Sequence, residues 1–159
     1  MKITVKNLKV AEFASEETLC FTATVYIDGK MAFTAKNDGH GGCNFYHGVR
    51  SQIKSAEEWS ESQPDISCTI EEDGEAFTYS ASLDHFVDEA VNQFRAEKDL
   101  KRILKKVAIA DKGQIYTFKI PANRFDNEMR ASIAKRYQGC TFLNELPLVE
   151  AVKIFQRAC

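Results

Sequence analysis

The stretch TAKNDGHGGCNFYHG, residues 34–48, gathers four glycines, two histidines, two asparagines and one aspartate in fifteen positions. These residue types can carry three chemistries. Closely spaced glycines let backbone N–H groups turn toward one point, and such nests bind anions. Asn37, Asp38, Gly39, His40, Gly41 and Gly42 are therefore a candidate ligand-binding loop, with the dipole of a following helix as a second source of positive field. Asp38 and His40 are suited to proton transfer. Asp38, His40 and His47 offer oxygen and nitrogen donors to a metal.

Spacing weighs against each reading. No Lys-Ser/Thr pair follows the glycines as in a phosphate-binding P-loop. A dinucleotide fingerprint needs a parallel βαβ unit, whereas the flanking pattern here is antiparallel. Two histidines seven residues apart are not the i, i+4 pair of a helical zinc site. A plain turn explains the same residues, with Asn-Asp-Gly bonding its own backbone and the glycines taking positive φ. No catalytic residue, metal or cofactor is assigned from the sequence.

The elements around the loop follow from hydrophobic period. Ile3, Val5, Leu8 and Val10 alternate with polar residues, with a slip near Asn7. Phe21, Ala23, Val25 and Ile27 alternate cleanly, Asp28-Gly29 is a two-residue hairpin turn, and residues 31–35 return. Residues 2–36 are thus expected to form a three-stranded meander that ends where the loop begins. A helix is expected over 49–62 and a second hairpin about Asp73-Gly74. A long helix is expected from 83 to 104, with Leu83, Val87 and Val91 on one face and Ser82 as its N-cap. A third hairpin about residues 111–113 follows, then a helix over 126–138 stopped by Gly139, a short strand at 141–143 and a final helix after Pro147. This is an α+β chain: an N-terminal antiparallel meander, further hairpins, and three to four helices packed on one face. With 159 residues and no composition break, a single domain over 1–159 is expected.

Five cysteines, an odd number with no CxxC pair, argue against a disulfide framework and suggest free thiols in a reducing compartment. The sequence has no run of eighteen apolar residues, which excludes an apolar membrane span, and its N-terminus lacks a secretory pattern. A cytoplasmic location is expected.

The net charge is only −2, but it is segregated. The forty residues 55–94 hold eleven acids and no lysine or arginine, and the other 119 residues hold 21 basic and 12 acidic side chains. Such asymmetry bears on partners more than on fold. Glu71, Glu72, Asp73 and Glu75 mark an acidic candidate surface for a protein partner. Arg95, Lys98, Lys101 and Arg102 mark a basic helix end that would contact a partner or nucleic-acid phosphates. Opposite patches would also serve self-association into a homo-oligomer.

The segment FTATVYIDGKMAFTAKNDGHGG, residues 21–42, resembles a pattern found in small phage and prophage proteins, in which a DGK hairpin leads into an NDGHGG-like loop. The later hairpin KVAIADKGQIYTFKI is similar in style. That family has no established activity, so the resemblance implies a mobile-element origin and no particular chemistry. With the charge segregation it leads to the expectation of a non-enzymatic accessory protein. Such a protein would bind a host protein or complex in the host cytoplasm and inhibit a defence system such as a CRISPR complex. The alternative is a small nucleotide- or anion-binding protein, or a hydrolase, that uses the loop at 37–42.

Overall fold

The computed structural model describes residues 1–69 and 76–158, and the chain divides into two compact units, Met1–Asn92 and Gln93–Cys159. The expected turn at Asp73-Gly74 lies outside the described residues, as do Glu71, Glu72 and Glu75. Among the described residues no helix is long and apolar enough to cross a membrane.

The first unit is built on an antiparallel sheet of four strands in sequence order: β1 (Ile3–Val10), β2 (Phe21–Ile27), β3 (Lys30–Asn37) and β4 (Phe45–Gly48). Asp28 and Gly29 join β2 to β3 with φ of 48° and 81°, both positive as the tight hairpin turn requires. The fourth strand is one more than the sequence pattern indicates. It is four residues long and turns only Tyr46 inward beside Gly48, too short a run for alternation to register. Gly48 pairs with Phe33, and a Cβ there would sit 2.5 Å from the Phe33 Cβ, so glycine is what lets β4 close against β3.

Helix α1 (Arg50–Glu61) and the first half of α2 (Leu83–Ile103) supply the rest of this core. Phe21, Ala23, Val25, Phe33 and Ala35 of the sheet meet Ala56 of α1 and Leu83, Val87 and Val91 of α2. The four-residue spacing of the α2 set keeps it on one helical stripe. Trp59 stacks edge-on against Phe86 at 5.3 Å between ring centroids. Ser82 caps α2 as its sequence suggests, its Oγ accepting from the His85 N–H at 3.2 Å. A two-stranded hairpin, β5 (Ile66–Thr69) with β6 (Ala76–Tyr79), precedes that helix.

The second unit has a three-stranded antiparallel sheet in the order β8 (Gln114–Pro121), β7 (Lys106–Asp111), β9 (Thr141–Phe142). Val107 and Ile109 of β7 pack with Ile133 and Phe142, and Ala108 packs with Leu100, Leu143, Val152 and Phe155. Helix α3 (Asn127–Arg136) is capped by Asp126, whose Oδ1 accepts from the Met129 N–H at 2.8 Å. Helix α4 (Leu148–Ala158) begins directly after Pro147. Asn144 acts as a clamp on β7. Its Oδ1 accepts from Ala108 N–H at 2.8 Å, and its Nδ2 donates to the Leu104 and Lys106 carbonyls.

Candidate functional site

The glycine loop between β3 and β4 is organised around the buried side chain of Asn37. Its Oδ1 accepts from Thr18 Oγ1 at 2.7 Å and from the Gly39 N–H at 2.9 Å. Its Nδ2 donates to the Gly42 carbonyl at 3.3 Å and to Asn44 Oδ1 at 3.1 Å. All the hydrogen-bonding capacity of one amide is thereby used inside the protein. The Gly39 carbonyl accepts from three successive N–H groups, those of Glu16, Glu17 and Thr18, at 2.9 to 3.3 Å. The Gly41 N–H donates to Thr18 Oγ1 at 3.2 Å. The amides of Gly39 and Gly41 thus point at the chain's own side chains. Positive φ at Gly39, Gly41 and Gly42 shapes this internal knot.

Asn44 extends the network to α2. Its N–H donates to Asp84 Oδ2 at 3.2 Å and its Nδ2 to Asp88 Oδ1 at 2.7 Å, while Tyr46 Oη donates to Asp84 Oδ1 at 2.5 Å. Two carboxylates one helical turn apart therefore tie the loop and β4 to the helix. Burial and the neighbouring Asp84 push the Tyr46 phenol far up, so it stays a hydrogen-bond donor. Burial pushes Asp88 above the usual carboxylate range, the Asn44 amide opposes that shift, and the Asp84 charge adds to it. A carboxyl whose folded pKa is raised favours folding below its unfolded pKa, and that contribution is lost as pH rises through the folded value. Asp88→Asn keeps an acceptor for Asn44 and removes the charge. Urea midpoints followed by the fluorescence of Trp59 should shift in favour of the variant, relative to wild type, as pH is raised from about 3.5 to about 6.5. The partial exposure of Asp88 keeps that change modest.

The remaining residues singled out in the loop are not brought together. Asp38 pairs with Lys36 at 3.3 Å, His40 Nδ1 meets Glu16 Oε2 at 3.2 Å, and His47 lies on β4, opposite Thr34. No hydrogen bond joins Asp38 to His40, and among the described residues no group of three histidine, cysteine or acidic side chains is placed to hold a metal ion. On the basic helix end, Lys101 pairs with Glu97 and Arg102 with Asp99 along the helix, and Lys98 is exposed beside Phe94. Arg95 is also on the exposed side of α2.

A different surface emerges from the sheet register. The face of β1–β4 turned away from the core carries two complete cross-strand rows. One runs Lys9, Thr22, Lys36, Phe45 and the other Lys6, Thr24, Thr34, His47. Lys6 and Lys9 are three residues apart, a spacing that places side chains on opposite faces of a regular strand. The irregularity between them, with Asn7 at φ 54°, adds one residue and returns both lysines to the same face. The threonines make a low floor, β1 contributes a cationic wall, and β4 contributes an aromatic one. Lys9, the three threonines, Lys36, Phe45 and His47 line an open groove of about 570 Å³, and among the described residues no acidic side chain lines it. Phe45 is 59% exposed, with Lys36 Nζ 5.7 Å from its ring centroid, and Lys6 Nζ lies 5.0 Å from that of Tyr26.

No family model matches this sequence, and no curated protein and no solved structure matches it. The functional reading therefore rests on geometry. Sequence reasoning passed over Lys6, Lys9, Lys36 and Phe45 because their shared face depends on a bulge and on a strand too short to read. The slip near Asn7 was the one local signal available.

Proposed function

We propose that the protein is a non-enzymatic binding protein, a phage or prophage accessory factor that engages a host macromolecule through the open face of β1–β4. Inhibition of a bacterial defence complex such as a CRISPR complex is the specific role we assign to it. The observation that carries the reading is the pair of cross-strand rows. They leave lysines and an apolar ring in solvent on a rigid sheet, where no fold requirement asks for them. An exposed aromatic beside unpaired or weakly paired cations is costly to solubility and is characteristic of recognition surfaces. The resemblance of residues 21–42 to phage and prophage proteins supports the setting, and the charge segregation supports a macromolecular partner.

The test is affinity purification of the tagged full chain from host lysate, in parallel with a Lys9→Glu, Lys36→Glu, Phe45→Ser triple variant. All three positions are exposed, so the variant should keep the wild-type fluorescence of Trp59. A stoichiometric macromolecule retained by wild type and lost from the variant is the expected result. A blank with both proteins, or equal recovery with both, rejects the open face as the binding surface.

A further inference from the structure

Resting on that reading of the open face, we infer that its ligand is single-stranded nucleic acid. The chemistry of the groove matches the two halves of a nucleotide and separates them in space. Lys6 and Lys9 stand side by side on β1, and Lys36 stands on β3, so cations are spread over both cross-strand rows. Successive residues on one face of a strand are about 7 Å apart, and β1 lies about 14 Å from β4 across the sheet. A chain laid along the strands would set its phosphates on the lysine wall and its bases over the floor formed by Thr22, Thr24 and Thr34.

At the far side Phe45 offers a ring to a base, with His47 in the next row. Stacking on an aromatic ring is tolerant of sequence, because every base has a π-face. The bases must be unpaired to reach it, since a duplex hides those faces within its own stack. The threonine hydroxyls are donors and acceptors for base edges or sugar oxygens. Among the described residues no acid lines the groove, so a polyanion meets less repulsion there than elsewhere on this acidic chain. Among the described residues Asp38 is the carboxylate paired with a groove lysine, at 3.3 Å from Lys36 Nζ, and phosphate would compete for that cation. The basic end of α2 is less suited, because Lys101 and Arg102 already pair with acids of their own helix.

The experiment is fluorescence anisotropy of a labelled 12-nucleotide mixed-sequence strand, as RNA and as DNA, with the matching duplex as a third arm, between 50 and 300 mM salt. Both single strands, or one of them, should bind more tightly than the duplex, and the RNA and DNA arms identify the preferred sugar. The logarithm of affinity should fall against the logarithm of salt with a slope of about −2, from three phosphate contacts at roughly −0.7 each. Phe45→Ala should weaken binding by about tenfold with that slope unchanged, because stacking is worth about 1–3 kcal/mol per base. Lys9→Ala should flatten the slope by about 0.7.

Preference for the duplex, no binding of any strand at 50 mM salt, or binding untouched by Phe45→Ala overturns the inference. If strands fail to bind while the triple variant still loses a protein from lysate, the open face is a protein-docking surface. Our inference then falls and the broader reading stands. If both experiments are blank, both fall.

Discussion

Replacing Gly39 with alanine is expected to destabilise the Met1–Asn92 unit by about 4 kcal/mol, a large share of a marginally stable unit's total stability. Three physical effects combine. Gly39 has φ of 90°, where a side chain strains the backbone by about 1–2 kcal/mol. An added Cβ would fall 2.0 Å from the Ala14 carbonyl oxygen and 2.9 Å from the Cys20 Cβ. The Ala14 atom is backbone, so it has no rotamer by which to escape. Any shift of Gly39 then breaks bonds at both its ends: the N–H to Asn37, and the carbonyl that accepts from Glu16, Glu17 and Thr18. Losing two or three of these at roughly 1 kcal/mol each accounts for the remainder.

Gly42→Ala is the control. Its φ of 83° is similar, but nothing lies within 4 Å of an added Cβ, so only the backbone strain of about 1–2 kcal/mol applies. Urea midpoints from the emission of Trp59, the chain's single tryptophan, report this unit specifically. Equal losses in the two variants would mean that the close approach to Ala14 does not matter.

Phe33→Ala should cost the same unit about 4 kcal/mol. Phe33 is the largest fully buried side chain and is 1% exposed. It packs edge-on against Tyr46 at 5.7 Å, and it pairs with Val25 on one side and Gly48 on the other. Truncation removes its buried area and leaves a cavity between β2 and β4, and Gly48 opposite is too small to fill it. The loss should reach beyond stability. Tyr46 turns inward against Phe33 while its sheet neighbours Phe45 and His47 turn outward, so the cavity frees β4 at the edge of the sheet. Hydrogen exchange of the β3–β4 amides should accelerate more than that of the β1–β2 amides. Phe33→Leu, which restores most of the volume, should recover more than half of the stability. A uniform acceleration across all four strands would show instead that the unit opens only as a whole.

Both predictions concern how the open face is held, and they show which features were legible in the linear chain. Alternation in residues 21–27 and the Asp28-Gly29 turn identified β2, its hairpin and its return strand, because those signals are local. The four-residue spacing of Leu83, Val87 and Val91 likewise identified α2 and its buried stripe, and Ser82 its start. The NDGHGG segment was legible as a loop that needs positive φ, and it is one.

Four things were decided only in three dimensions. Asn37 and Asn44 became structural because the fold brings Thr18 and the carboxylates of Asp84 and Asp88 to them, over separations of up to 44 residues. Those same contacts give two of the acids in the 55–94 block, Asp84 and Asp88, partners inside the fold. The four residues of β4 became a strand because β3 offered them an edge and Gly48 let them approach. Lys6 and Lys9 came to share a face because one extra residue at the bulge reversed the parity of the strand. The sequence by itself determined the α+β class, the hairpins, the long helix and the alternation that gives each strand two faces, since period and turn chemistry act between near neighbours. Which face stays open, and which charges meet there, depends on register and burial. Both are set by the packing of distant segments, and only the tertiary structure decided them.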